Sequence, residues 1–284
     1  MPVYDRGYTH WEPSGRKVWP AWWVIARRGI TAGLKHKGVL AMALLALVPA
    51  VVKGAIIYFS LKAGELTRLL GGGWTSIEPE GFLRFLEMQR FAVFAVMAVI
   101  GAGLVAQDRQ DNGLSLYFSR PLDLKDYLLG KALILMFFYC LVTLMPVLVM
   151  CIFAFFIAPG ATGLDLLLLT PLRAILYCGL TGISMGLVLL AFSSMGKRTI
   201  YVMVWWTILV MGSEAIGGIA RGLGKDAFEA ANFLGQYHNA GSLIFGAGPR
   251  LGVPQAVSAL VVTAWTALAV WVLRRRIRPV EVVS

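Results

Sequence analysis

The chain has 284 residues, of which 58% are hydrophobic and 14% are charged, whereas soluble domains carry about 25% charged residues. A soluble fold of this size would have too little polar surface to cover its core, so the composition indicates one membrane domain. The formal net charge of +11 does not indicate nucleic-acid binding, because no binding module accompanies it and because excess Lys and Arg mark the cytoplasmic side of membrane proteins.

The N-terminal residues 1–38 are polar and rich in tryptophan, and they lack the pattern of a cleavable signal peptide. Within them, residues 16–37 interleave tryptophans with arginines, and Pro20 suits the first turn of a helix. Trp and Arg together favour the headgroup layer, so we expect a helix lying along the cytoplasmic membrane surface. The residues that would face this layer are Trp19, Trp22, Trp23, Arg27 and Arg28. An irregular basic leader is the alternative.

Six apolar runs are long enough for membrane spans, which need about 20 mostly apolar residues. They cover residues 39–61, 91–106, 132–158, 166–192, 199–220 and 255–273. The second run is short, and we expect it to extend upstream through residues 82–90 as a partly polar helix. Pro146 predicts a kink in the third run. The predicted fold class is an all-α membrane protein, with a six-span domain over residues 39–273 and a basic tail over residues 274–284.

The distribution of Lys and Arg between the loops predicts the orientation of the spans. One set of segments holds 17 basic residues and comprises residues 1–38, 107–131, 193–198 and 274–284. The other set holds 7 and comprises residues 62–90, 159–165 and 221–253. We therefore expect both termini and the first set to face the cytoplasm, in a multi-pass membrane protein.

Three charged residues, Lys53, Arg173 and Glu214, lie inside the predicted spans, all in the outer half of the bilayer. Snorkelling to the outer headgroups explains them simply. The sharper hypothesis is that Glu214 pairs with Arg173 or Lys53 beside a water-accessible cavity. In the fourth span, Gly182 and Gly186 permit close helix approach, which is more often packing within a chain than a dimer seam.

The outer segment 221–253 holds an expected amphipathic helix over residues 226–234, followed by glycine-rich stretches. Two placements of this segment stay open on the residues alone. It lies on the outer surface of the membrane, or it dips back between the spans.

Enzyme and metal signatures are missing from the sequence. Three histidines are scattered over three segments, and three cysteines fall inside apolar runs without metal-ligand spacing. Residues 193–198 look like the end of a P-loop, but the required pattern fails because Ala191 replaces its first glycine and Arg198 follows Lys197. We therefore expect neither catalysis nor a resident cofactor in this chain.

The segment between spans two and three, residues 107–131, is too patterned for a plain linker. A charged cluster follows the end of span two, and apolar and polar residues alternate after it. Arg120 and Pro121 then interrupt any regular secondary structure. Asp123 can cap the helix that leads into span three. On the residues alone, a docking surface and a solvated loop are equally supported.

With this topology, the chain resembles the permease subunits of ABC type-2 exporters over nearly its whole length. The shared pattern is a glycine-rich span end, an acidic residue, a glycine, a Ser-Arg-Pro-Leu run and a Tyr-Leu-Leu-Gly-Lys run. Here these are Gly101, Gly103, Asp108, Gly113, residues 119–122 and residues 127–131. The N-terminal helix matches that family's interfacial elbow helix, and the outer segment matches its segment between spans five and six.

The resemblance implies a permease that forms the export pathway and leaves ATP and Mg²⁺ to a separate cytoplasmic ATP-binding cassette subunit. Loop 107–131 would couple the two subunits. Its implied contact residues are Asp108, Arg109, Asp111, Gly113, Arg120, Pro121, Tyr127 and Lys131. A second permease copy, in a homodimer or a heterodimer, would complete the pathway in the lipid, and some relatives also serve an extracytoplasmic accessory protein.

Two other functions stay open. One is a secondary transporter that works without ATP; such proteins often contain inverted repeats, and no convincing match joins spans one to three with spans four to six. The other is a membrane scaffold subunit for extracytoplasmic assembly.

Overall fold

The structure is a computed structural model that describes residues 19–62, 79–111, 113, 123–157, 168–224 and 230–277. These residues form helices and short connections, with no strand among them. The elements in chain order are α1 (Ala21–Leu34), α2 (Lys37–Lys62), α3 (Pro79–Met88), α4 (Arg90–Gly101), α5 (Gly103–Gln110), α6 (Leu124–Ile157), α7 (Thr170–Met195), α8 (Thr199–Thr207), a π-helical turn (Ile208–Gly212), α9 (Ser213–Gly222), α10 (Phe233–Phe245) and α11 (Gln255–Arg276).

Six helical stretches of the described chain are long and apolar enough to cross a membrane. They are Lys37–Ile56, Arg90–Gln110, Leu124–Phe156, Thr170–Met195, Thr199–Gly222 and Gln255–Arg276. The predicted all-helical class and the six predicted spans are thereby confirmed, and the chain is a multi-pass membrane protein. Span three continues as helix through Pro146.

Spans three and four, formed by α6 and α7, lie at the centre of the bundle and share the most extensive helix contact. Gly182 of α7 allows this approach, since a Cβ there would lie 2.8 Å from the ring of Tyr139 and 2.9 Å from the sulfur of Met136. At Gly186 a Cβ would meet Leu135 at 3.5 Å. Both glycines of the predicted close-packing motif therefore serve packing within the chain.

Span two differs from its prediction at both ends. Of the predicted upstream extension over residues 82–90, residues 82–88 are helical but belong to α3. Gln89, with ψ near 0° rather than the −42° typical of α-helix, separates α3 from α4, which begins span two at Arg90. At the other end helical structure reaches Gln110. Since α6 begins at Leu124, directly after the predicted cap Asp123, both flanking helices extend into the predicted loop 107–131.

Helix α10 decides between the two placements of the outer segment. Its first residue, Phe233, packs on Trp206 and on Trp265, with ring centroids 5.8 and 4.7 Å apart. Tyr237 reaches Ser184 of α7 at 2.9 Å. These partners lie near the middle of their spans, so α10 is re-entrant and does not lie on the surface. The predicted helix over residues 226–234 is wrong in its bounds, since α10 begins at Phe233; residues 225–229 lie outside the described part.

The helix start follows from local chemistry. Asn232 has extended backbone geometry, and its Oδ1 accepts a hydrogen bond from the Gly235 amide at 2.7 Å, as an N-cap residue does. At the other end Gly246 has a φ of 66°, the left-handed conformation that ends many helices at glycine. These two residues therefore determine the length of the re-entrant helix.

The bundle has two ends, here called inner and outer after the predicted orientation. Cysteine labelling tests that orientation in a variant whose native cysteines, residues 140, 151 and 178, are replaced. Lys125→Cys and Arg84→Cys place thiols at exposed positions of the inner and outer ends respectively. We expect an impermeant maleimide to label position 125 only from the cytoplasm and position 84 only from outside. The reverse pattern would contradict the predicted topology.

Helix α1 packs tightly along α6. A Cβ at Gly33 would lie 2.7 Å from Cε2 of the buried Phe138 ring and 3.1 Å from Ile100. We expect Gly33→Ala to lower stability by roughly 1–3 kcal/mol, the usual cost of overpacking, measured by thermal unfolding in detergent. Gly179→Ala is the matched control, because a Cβ there meets nothing within 4 Å. Equal melting temperatures for the two variants would contradict this packing.

Candidate functional site

The inner ends of spans two and three are joined by a cluster of Asp108, Tyr127 and Lys131. The Tyr127 hydroxyl donates to Asp108 Oδ2 at 2.7 Å, and Lys131 Nζ lies 2.8 Å from the same oxygen. Lys131 Nζ also stands 5.5 Å from the centroid of the Tyr127 ring. The side chains of Lys131 and Asp108 are only 9% and 19% exposed, so solvent screens this ion pair weakly.

The sequence positions explain how the cluster forms. Asp108 lies in the last turn of α5, and Tyr127 and Lys131 are four residues apart on α6, which places them on one helix face. We call this group the inner cluster. It brings together three of the residues that the family resemblance singled out.

Arg109 extends the inner cluster to span four. Its guanidinium donates a hydrogen bond to the Ser194 carbonyl in the last turn of α7. The last four carbonyls of a helix lack partners within that helix, so Arg109 satisfies one of them. The adjacent residues Asp108 and Arg109 thus connect span two to both of its inner neighbours.

Ser193 explains a break in span two that sequence reasoning did not predict. Its hydroxyl donates to the Ala102 carbonyl at 2.9 Å and accepts from the Val105 and Ala106 amides at 3.0 Å. Ala102 separates α4 from α5, so a side chain of span four is inserted into the helical hydrogen-bond ladder of span two. Insertion of this kind is a known cause of helix kinks. The Gly101-Ala102-Gly103 run was the available signal.

The remaining residues of the predicted contact set are placed as follows. Asp111 is exposed directly after α5, where its amide donates to the Gln107 carbonyl at 2.9 Å. Gly113 is half-buried near the Asp108 backbone. Arg120 and Pro121 lie outside the described residues. A docking role for this set stays a prediction.

Helix α1 covers the same region of α6. A Cβ at Gly130 would lie 2.9 Å from Ile25 and 3.0 Å from the Trp22 carbonyl. On its other face Trp23, Arg27 and Arg28 are exposed, as is Trp19 just before the helix. A helix is therefore present where one was expected, and its position in the headgroup layer stays a prediction.

The outer end carries a second cluster of charges. Arg90 donates to Glu214 Oε1 at 2.8 Å, and Asn232 Nδ2 donates to Glu214 Oε2 at 3.1 Å. The hypothesis that Glu214 pairs with Lys53 or Arg173 is therefore wrong. Its partner Arg90 begins α4, but the apolar run that predicted span two began one residue later. The ion pair joins span two to span five, and the hydrogen bond from Asn232 links Glu214 to the start of α10.

Lys53 and Arg173 have separate environments. Lys53 is 4% exposed, donates to the Gly81 carbonyl, and lies 5.6 and 5.8 Å from the ring centroids of Phe82 and Phe85. Arg173 is half-buried near the start of α7 and forms no ion pair with any described residue. The three intramembrane charges thus form no common site.

Buried polar side chains form hydrogen bonds with one another in the middle of the bundle. The Tyr177 hydroxyl lies 2.9 Å from His238 Nδ1, and the Tyr139 hydroxyl lies 2.7 Å from the Thr181 hydroxyl. Buried polar groups are costly without partners, and these pairs meet that requirement. No group of three His, Cys, Asp or Glu side chains suited to a metal occurs within the described ranges.

An apolar groove of about 800 Å³ opens between α7, α10 and α11. Leu180, Ile183, Leu243 and Val262 are among the residues that line it, with a few threonine and serine hydroxyls. Its lining suits a lipid chain or a neighbouring helix better than a charged solute.

No model of a known protein family matches the chain, and no curated protein sequence matches it either. The evidence for its fold class, its inner cluster and its outer cluster of charges is therefore the chain's own residues and their geometry. Of the two, the inner cluster contains residues of the family resemblance, and the outer cluster contains charges that the resemblance does not cover.

Proposed function

We propose that the chain is the permease subunit of an ABC type-2 exporter in the bacterial cytoplasmic membrane, with both termini in the cytoplasm. A separate cytoplasmic ATPase subunit would bind ATP and Mg²⁺. The inner cluster carries this proposal. Its contacts hold together the inner ends of spans two, three and four, next in sequence to residues 112–122, through Asp108, Tyr127, Lys131 and Arg109. A subunit that moves this segment would move the three spans together.

The inner cluster suits coupling because it is compact and shielded. Residues 112–122 connect α5 to α6 in the chain, so a displacement of this segment would pull on the adjoining ends of both helices. The nearly buried ion pair of Asp108 and Lys131 would keep these two ends together. Helix α1 packs on the same turn of α6 and would move with it. ATP can drive such a transition only by favouring one state over the other, and the closing of an ATPase pair would supply that difference.

A second copy of the chain, or a related permease, belongs to the proposal. Spans three and four fill the centre of one copy, so a pathway along its axis is occupied by packed side chains. Spans one, five and six expose most of their apolar residues, and such surfaces suit lipid or a second permease. Two copies would therefore enclose the pathway between them.

Site-specific photo-crosslinking tests the ATPase partner. A photoreactive residue at position 111 or 113, beside residues 112–122, is expected to capture an ATP-binding cassette subunit in native membranes, identified by mass spectrometry. The same residue at position 84, at the outer end, is the control and should capture none. Capture from neither inner position, with the chain folded and inserted, would contradict the proposal.

A secondary transporter is the second candidate, favoured by the π-helical turn in span five and by the half-length helix α10. Broken helices at membrane depth are typical of such transporters. Solute movement by the purified chain in vesicles without ATP would support this candidate. If the chain shows no ATPase capture and no solute movement, the results would favour a scaffold subunit for extracytoplasmic assembly.

A further inference from the structure

The outer end contains a cavity of about 360 Å³ with an unusual concentration of positive charge. We call it the outer vestibule. Four of its lining residues are cationic and one is acidic, and two apolar side chains complete the wall. The residues are Lys53, Arg84, Arg90, Arg250, Glu87, Phe85 and Met88. The volume is in the range of small-molecule sites.

Within the described part of the chain, Lys53 is the cation of the vestibule without a counter-charge. Its ammonium is buried, bonds to a backbone carbonyl and faces two aromatic rings. No carboxylate of a described residue lies within 4.0 Å of it. A buried charge is costly unless it is paired, so this position favours an external anion.

Arg250 has hydrogen-bonding capacity left over. Its contacts to Glu80 and Glu87 are 3.5 and 3.7 Å, longer than a good hydrogen bond, and its Nη2 is buried without a hydrogen-bond partner. The backbone amide of Arg250 donates to Asn239 Oδ1 at 2.7 Å, which holds this residue against the re-entrant helix. Arg250 thus lines the cavity with a positioned guanidinium whose Nη2 has no hydrogen-bond partner among the described residues.

The carboxylates that the structure describes near the vestibule do not neutralise its positive charge. Glu80 bonds to Arg84 at 2.8 Å, and this hydrogen bond holds the pKa of Glu80 below its usual range, so it stays ionised. Glu214 is paired with Arg90, and Glu87 lies at 3.7 Å from Arg250. Among the described residues, four cations thus face three carboxylates, and one positive charge remains.

We propose that the outer vestibule binds a phosphate group presented at the outer leaflet. Guanidinium groups offer paired donors that match phosphate oxygens, and the Lys53 ammonium adds a point charge. Lys53 stands 16 residues along α2, about 24 Å from its inner end, which is close to the outer headgroup level of a hydrocarbon core about 30 Å thick. The phosphate belongs to a lipid headgroup or to a soluble phosphate compound, and this site requires no ATPase subunit.

Binding to the purified, delipidated full-length chain tests the proposal by native mass spectrometry and thermal unfolding. The probes are phosphatidylglycerol, diacylglycerol with the same chains, and inorganic phosphate. We expect a one-to-one adduct and a higher melting temperature with phosphatidylglycerol or with inorganic phosphate, and neither with diacylglycerol. Phosphatidylglycerol alone would assign the lipid source, and a response to inorganic phosphate would assign a soluble one.

Matched variants locate the site. Lys53→Met keeps the side-chain length without the charge, and Arg250→Gln removes the unused donors; each should weaken binding at least tenfold. Arg173→Gln, a half-buried cation at the same end but outside the vestibule, should bind within twofold of the wild type. If Lys53→Met does not fold, Arg250→Gln decides alone. The proposal is overturned if neither phosphate probe binds, if diacylglycerol binds equally well, or if the folded vestibule variants bind like the wild type.

Discussion

Asp108→Asn is expected to remove most of the stimulation that the chain would give to the proposed ATPase subunit, by at least fivefold, while the basal ATPase rate stays unchanged. The amide still accepts the Tyr127 hydrogen bond, but it leaves the Lys131 ammonium, which is 9% exposed, without its counter-charge. Breaking a fully buried pair costs about 3–5 kcal/mol, and partial exposure reduces that figure here to about 2. Steady-state ATPase rates of the complex in nanodiscs, with and without the variant, measure the effect.

Two further variants separate coupling from general damage. Lys131→Met should give the same loss as Asp108→Asn, and the double variant should lose little more, because both remove one interaction. Lys125→Gln changes an exposed charge in the same turn of α6 and should keep the wild-type rate. Full stimulation by Asp108→Asn would show that the inner cluster does not couple the subunits.

Reversal of charge at Glu214 is the second change with a large expected effect. Glu214→Arg places two guanidinium groups together between spans two and five and removes the acceptor that holds Asn232. We expect the melting temperature in detergent to fall by about 10 °C, corresponding to a few kcal/mol for a chain of this size. The side chains of Arg90 and Glu214 are 39% and 30% exposed, so loss of the attraction alone, as in Glu214→Gln, should cost only about 1 kcal/mol.

The exchanged pair, Arg90→Glu with Glu214→Arg, tests whether charge is the cause. It should recover about half of the lost stability, since the ion pair returns but the Asn232 contact does not. Arg173→Glu reverses a charge at the same end without an ion-pair partner among the described residues and should change the melting temperature little. A swap that is no better than Glu214→Arg would mean that side-chain shape, rather than charge, matters at this position.

The spans were predictable because their signal is local. Long, mostly apolar runs have few outcomes other than a membrane helix, and the six such runs, the second of them short, gave six spans. The helix after Pro20 also follows from a local pattern. In these places the sequence and the structure agree without knowledge of the packing.

The other features depend on partners distant in the chain. The break at Ala102 requires the Ser193 hydroxyl, 91 residues away, and no pattern in span two reveals that partner. Arg90 lies in the partly polar stretch upstream of the run at Phe91 and was not considered as a partner of Glu214, which is 124 residues away. Burial of α10 requires aromatic partners from α8 and α11. Each depends on packing between helices that a single window of sequence does not contain.

The re-entrant helix has a consequence for biosynthesis. α10 has 13 residues, about 20 Å of helix, and it carries Gln236, His238 and Asn239, so an insertion machinery that selects long apolar segments would release it to the outer side. Its binding place includes Trp265 of α11, which is synthesised later than α10 itself. Docking of α10 is therefore complete only after the last span has been inserted.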